Sequence, residues 1–470
     1  MAGLGVKMKT QLLTPRPEAD QTVRVEIGTT HGPQSMRISF TDQRLTAHGG
    51  MVVWSQFLHQ SAFRTQLAQV LPHAPKSNHA YDPTDVALGF LGGILSGADK
   101  LSRIAYLRQD PAIPQVLGIE AVPSQSTLSR FLATFRQSTS VGLSALHRWA
   151  VRRLPSERDG YTLDLDSWAL LHEDGRQEGV RVGHTKQGLK PCHRPLVAAL
   201  AEGQLMANFW LRRGDAACVN HAAEFVRSTL AGLPGHVRIA LVRADGGFCS
   251  GEFLEALREL HQRYIVAQPL RAPVQRLCRH DDAYWRETEI TGLQVQEVAG
   301  ERPGERIVVI RQRITERADA GGKTLFDLPG YRFQALVTNL PANEFDALAV
   351  WRRYNGRADI ENRIKELGRQ FGIKGLCCRK FWATEAACHL AIAAYNLCVL
   401  LQRRLGQLGK CELVTLRWRL FTRAAVFSHA QGKATLKLAV EGLAARDWWV
   451  RLLEKLTAPP NCHAIESLQA

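Results

Sequence analysis

No stretch of this 470-residue sequence holds the roughly 18 uninterrupted apolar residues that a bilayer-spanning helix needs. The opening "MAGLGVKMKTQLL" shows no apolar signal core followed by a cleavage site, so a cytoplasmic protein is expected. Internal repeats and low-complexity tracts are missing as well. The ten cysteines form no framework: Cys218 and His221 are a lone close pair, and Cys377 and Cys378 have no second ligand pair. A structural zinc site wants two such pairs at set spacings, so the cysteines read as scattered thiols in a reducing compartment. Acidic residues are in short supply. Against 60 Lys and Arg stand 44 Asp and Glu, a net charge of +16. That excess favours a polyanionic partner, and without a spanning segment nucleic acid leads over a membrane surface.

What is present is ordinary for a folded chain: 45% apolar and 22% charged residues, at a length suited to two to four domains. Residues 1–50 lean to β, with alternation in "TVRVEI" and "SMRISF". Residues 51–155 read as helical. Within them "VPSQSTLSRFLATF" has a Pro-Ser start before an amphipathic helix. Its Ser126 and Arg130 suit a helix that reaches base edges and phosphates, or equally a capped surface helix. Residues 156–270 change character: strands "YTLDLDSW", "HRPLVAAL" and "QLMANFWLRR", a helix, the strand "VRIALVRAD", a second helix and the strand "YIVAQPL". That order is an α/β sheet with packed helices. Residues 271–342 turn β-rich and charged with no helix pattern, as an insertion would. Helices return over 343–405, and 406–470 reads as a further helical region.

Two carboxylates fall at strand ends. Asp166 closes "YTLDLD" and Asp245 closes "VRIALVRAD". The carboxyl ends of strands in an open sheet are where such folds place sites. Asp164 shares a face with Asp166 and is an alternative to it. In "RYNGRADIENRIKELG", Tyr354, Arg357, Glu361 and Lys365 recur at helical spacing. Either this is a solvated face with ion pairs, or Glu361 is a third carboxylate flanked by cations that hold a phosphate backbone. Asp166, Asp245 and Glu361 together are what two-metal phosphodiester chemistry needs: oxygen ligands around two Mg²⁺ ions, with Mn²⁺ able to substitute.

At these residues the sequence resembles the DDE transposases of bacterial insertion sequences, in the subset with a Tyr-Arg-Glu-Lys signature. "LDLDSW" is similar to their first-Asp strand, "VRADGGF" to their second, and "RYNGRADIENRIKELG" to the helix of the third carboxylate. The resemblance implies an RNase H-like catalytic core with a β-rich insertion before Glu361. It also implies Mg²⁺-dependent cleavage at terminal inverted repeats and strand transfer into target DNA, usually by a homodimer in the bacterial cytoplasm. A hairpin on the transposon end is a further family trait, for which Trp285 is a candidate to stack on a flipped base. The family's Lys, expected seven residues after the Glu, is Gly368 here, and Lys365 lies one turn earlier. Competing readings are a nuclease that cuts without joining, a DNA-binding descendant without a working metal site, and a basic protein with no nucleic-acid partner.

Overall fold

Strand Tyr161–Ser167 lies third from one edge of a ten-stranded mixed sheet, in the middle of its five core strands, and is buried along most of its length, as a strand covered on both faces must be. On one side it pairs antiparallel with Leu196–Leu200, which pairs in turn with Met206–Trp210. On the other it runs parallel to Ile239–Ala244, followed by parallel Tyr264–Gln268. Three antiparallel strands beside two parallel ones, joined by helices Ala222–Ala231 and Gly251–Glu259, make the expected RNase H-like α/β core. This computed structural model describes residues 22–72, 80–172, 176–314, 323–325, 327–376, 378–406 and 408–458. The chain's start and Cys377 lie outside the described residues.

The β-rich insertion continues the core sheet. Leu328–Thr338 pairs antiparallel with Tyr264–Gln268, and Arg306–Arg313, Leu293–Ala299 and Arg286–Glu287 follow outward. It also contains a helix, Ala272–Cys278, that the sequence reading missed; the segment is short, with Pro at its start and one apolar side. Trp285 is a core residue here. It is 6% exposed, its indole N–H donates to the His280 carbonyl at 3.3 Å, and Arg311 lies 4.4 Å from its ring centre. This placement overturns its assignment to base stacking, because both ring and N–H are committed to the fold.

A second unforeseen element lies between the first two core strands. Arg181–Thr185 and Gly188–His193 form a hairpin, joined by Leu170–Leu171 into a three-stranded sheet. At the C-terminal side, Ala425–Ala430 and Lys433–Leu438 pair as another hairpin and add Arg44–Thr46 from the N-terminal segment. The expectation of helices alone over 406–470 is therefore corrected. The signal was legible: "AVFSHAQGKATLKL" has strand-like stretches about Gln431–Gly432, both at positive φ, the geometry of a tight hairpin turn.

The 25-residue helix Phe381–Leu405 is the hub. By length and composition it could cross a membrane, yet its apolar window is 100% buried. Helices Pro83–Ser96, Gln125–Ala133 and Ser144–Val151 pack on it together with strand Met206–Trp210, so the N-terminal helices and the sheet share one apolar core.

Candidate active site

The alternating pattern of "YTLDLDS" puts Leu163 and Leu165 on one face of the central strand and Asp164 and Asp166 on the other. The two carboxylates then part in role. Asp164 is fully buried and faces Arg243 across the parallel ladder. Both its oxygens accept from that guanidinium, Oδ1 from Nε at 2.6 Å and Oδ2 from Nη2 at 2.8 Å. Arg243 also donates to the Arg353 carbonyl, beneath Gly356, where a Cβ would meet Nη1 at 2.6 Å. Asp164 thus anchors the junction ahead of the Glu361 helix. Asp166 sits one pleat further, at the carboxyl end, where its Oδ1 accepts from the Ser167 N–H at 2.7 Å.

Asp245 follows strand Ile239–Ala244 directly, beside the central strand. Its Oδ1 accepts from the Gly247 N–H at 3.0 Å, a turn closed by the side chain itself. A side chain at Gly247 would be tight, since a Cβ would lie 3.0 Å from Cys218 Sγ.

The Tyr354–Lys365 stripe is split. One helix, Ala347–Asn355, ends at Gly356, and a second, Ala358–Arg369, starts from Arg357. Tyr354 and Arg357 are buried, whereas Glu361 and Lys365 are exposed. Tyr354 packs with Leu241 and Ile265. The Arg357 Nη2 donates to the Leu165 carbonyl at 3.2 Å and lies 3.1 Å from Asp166; Nη1 is 3.9 Å from Glu361. Its Nε is buried without a hydrogen-bond partner. The stripe therefore supplies one cation between two of the carboxylates rather than an open row of four groups. Among the described residues Lys365 reaches only Asn362, at 3.4 Å. Gly368 is buried under the stem of Lys374, whose Cε lies 3.0 Å from where a Cβ would be.

The carboxylates sense one another. Burial pushes the Asp166 carboxyl up to about 6; Arg357 opposes this, while Asp245 and Glu361 reinforce it. Asp245 is raised for the same first reason, burial, with Arg357 opposing and Glu361 adding to it. Tyr354 is pushed up to about 12, mainly by burial. The Arg357 guanidinium holds its proton more firmly than usual: burial works against its charge, and Asp166 leads the groups that outweigh burial. Mutually repelling carboxylates at a sheet end favour a bound proton or a bound cation. The donors are all oxygen, the set that Mg²⁺ prefers, and to that extent Asp166, Asp245 and Glu361 fit a divalent ion. Among the described residues no three His, Cys, Asp or Glu side chains close round one ion position.

Ser126 and Arg130 lie elsewhere, on the exposed face of helix Gln125–Ala133, which Ser124 caps by accepting from the Thr127 N–H at 3.1 Å. Reading the sequence missed Arg243, Arg194 and Arg212. Their neighbours are brought in by sheet pairing, and no local spacing announces them.

The family described as "Transposase DDE domain group 1" matches residues 29–460. Among solved structures, a cryo-EM structure of a piggyBac transposase synaptic complex with hairpin DNA is similar at 10% identity, with a TM-score of 0.43. That match covers 91% of this chain and 87% of the other, and is too distant to bear on individual residues. No curated protein matches.

Proposed function

The chain belongs to the DDE transposase family, and on that premise we propose that it is the transposase of a bacterial insertion sequence. It binds the terminal inverted repeats, cuts phosphodiester bonds there and joins the 3′ ends to target DNA, acting as a homodimer on DNA. The observation that carries this reading is Arg357 at the sheet end, 3.1 Å from Asp166 and 3.9 Å from Glu361, with Asp245 ending the neighbouring strand.

Divalent Mg²⁺ or Mn²⁺, when bound, would supply activation of the attacking oxygen and stabilisation of the leaving 3′-oxygen. Asp166, Asp245 and Glu361 would hold it. Arg357, fixed by the Leu165 carbonyl and by Asp166, keeps a buried cation beside the carboxylates. Tyr354, buried and protonated, packs with Leu241 and Ile265 beside the site. The Asp164–Arg243 pair holds the junction in place and takes no part in the chemistry. The exposed face of Ser126 and Arg130 is proposed to contact repeat DNA, with the net charge of +16 assisting.

The test is a joining reaction. Purified protein is incubated with labelled DNA from either side of its gene and a supercoiled plasmid, with and without Mg²⁺. Metal-dependent transfer of a defined end into the plasmid supports the reading. Cutting without joining indicates a nuclease, and binding without cutting a regulatory descendant.

A further inference from the structure

Of the arginines packed about the carboxyl end of the sheet, most are committed to the fold. Arg243 holds Asp164 and the Arg353 carbonyl. Arg212 donates to the carbonyls of Arg194, Ala217 and Asn220 and reaches Ser167 Oγ at 3.4 Å. Arg194 differs. It lies between hairpin strand Gly188–His193 and core strand Leu196–Leu200, whose Leu196 pairs with Ser167, so it stands just beyond the end of the central strand. Its guanidinium has one hydrogen bond to a carbonyl, from Nη2 to His184, and a long contact from Nη1 to Cys218 Sγ at 4.0 Å. No carboxylate lies within ion-pair distance of it among the described residues. Its Nε is buried with no hydrogen-bond partner.

Cys218 places this cation. Its Sγ packs on Gly247, and Gly247 donates to Asp245, so Arg194 reaches the second carboxylate's turn through a chain of contacts. Its charge is felt there, as the last of the influences on the Asp245 carboxyl, after burial and Arg357. Arg194 is half-buried rather than enclosed, and with one carbonyl partner its guanidinium keeps donors for a further acceptor. Two guanidinium groups therefore lie at the carboxylate end of the sheet, Arg357 beside Asp166 and Arg194 near the Asp245 turn.

We propose that Arg194 is a second phosphate-binding residue of this site, contacting a backbone phosphate of the bound DNA from the Asp245 side. The inference rests on the transposase reading but concerns one contact within it. Arg194 positions the strand; its planar fork suits a phosphate, and the Cys218 contact keeps it aimed.

The experiment measures DNA affinity across a salt series without divalent metal, so that no cutting intervenes. The probe is a fluorescent duplex of DNA from the flank of the gene. Wild type, Arg194→Ala and Arg194→Lys are compared, with thermal melting of each. Losing one phosphate contact lowers the slope of log affinity against log salt by about 0.9. That loss in Arg194→Ala, with the slope kept in Arg194→Lys, supports the proposal. Scanning single uncharged methylphosphonates along the duplex adds a second readout: one position should weaken wild type several-fold and leave Arg194→Ala unaffected. An unchanged slope in Arg194→Ala, or no such position, overturns the proposal and makes the residue a staple of the hairpin alone. Should Arg194→Ala fail to fold, Arg194→Gln, which keeps an N–H for the His184 carbonyl, carries the same comparison. Wild type without affinity for the probe would overturn the transposase reading and this contact together.

Discussion

Arg243 grips Asp164 through two parallel hydrogen bonds, 2.6 and 2.8 Å long, between neighbouring parallel core strands, and this pairing separates Asp164 from its neighbour Asp166. Burial raises the Asp164 carboxyl while the Arg243 fork pulls the other way. Removing one partner of such a pair strands the other's charge, at about 3–5 kcal/mol. Asp164→Asn and Arg243→Ala should each destabilise the protein by that order in urea unfolding. Replacing both with apolar residues of similar volume should recover much of the loss.

Asp166 gives a pH-dependent test. Its folded-state pKa, about 6, lies above the ordinary Asp value of 3.8. A raised value means that its contribution favours the fold at low pH and is lost as pH rises through about 6. A shift of roughly two units is on the order of 3 kcal/mol. Without divalent metal, wild type should therefore lose melting temperature between pH 4 and pH 8 more steeply than Asp166→Asn, which lacks this titration. Mg²⁺ should raise the melting temperature of wild type at pH 8 by binding the native state. That effect should fade below pH 6, as the proton competes, and be absent in Asp166→Asn.

Trp285 tests the insertion. Its burial and the Arg311 stacking make it structural. Trp285→Ala should cost about 3–5 kcal/mol in unfolding free energy. Cleavage per folded molecule, measured below the unfolding transition, should be unchanged.

Gly368 is a buried helix glycine, and the stem of Lys374 lies over it. Only the far end of a flexible side chain opposes a new Cβ, and helix Ala358–Arg369 gains from losing a glycine. Gly368→Ala should raise stability by up to about 1 kcal/mol in urea unfolding.

The core was legible because its strands announce themselves twice. "YTLDLDS" alternates, and "IALVRA" is an apolar strand bounded by "DGG", so the ends carrying Asp166 and Asp245 could be placed from sequence. Helical spacing found Glu361, but it joined Tyr354, Arg357 and Lys365 into one helix. The break at Gly356 depends on Arg243 passing beneath, a residue 113 positions earlier by the numbering. Sequence favoured Asp166 over Asp164 only by its place at the strand end, and the pairing that occupies Asp164 comes from a ladder neighbour. Hairpin Arg181–Thr185/Gly188–His193 was overlooked because "KPCHR" continues without a break into the next apolar strand.

The most direct test is Mg²⁺-dependent cleavage of the flanking DNA by wild type, Asp166→Asn, Asp245→Asn and Glu361→Gln, each checked for folding and for DNA affinity. Groups that act as a unit fail together, so each single variant should lose cutting by roughly 100-fold or more while still binding DNA. A well-folded variant of any of the three that cuts at the wild-type rate would contradict the assignment of these carboxylates to one catalytic site.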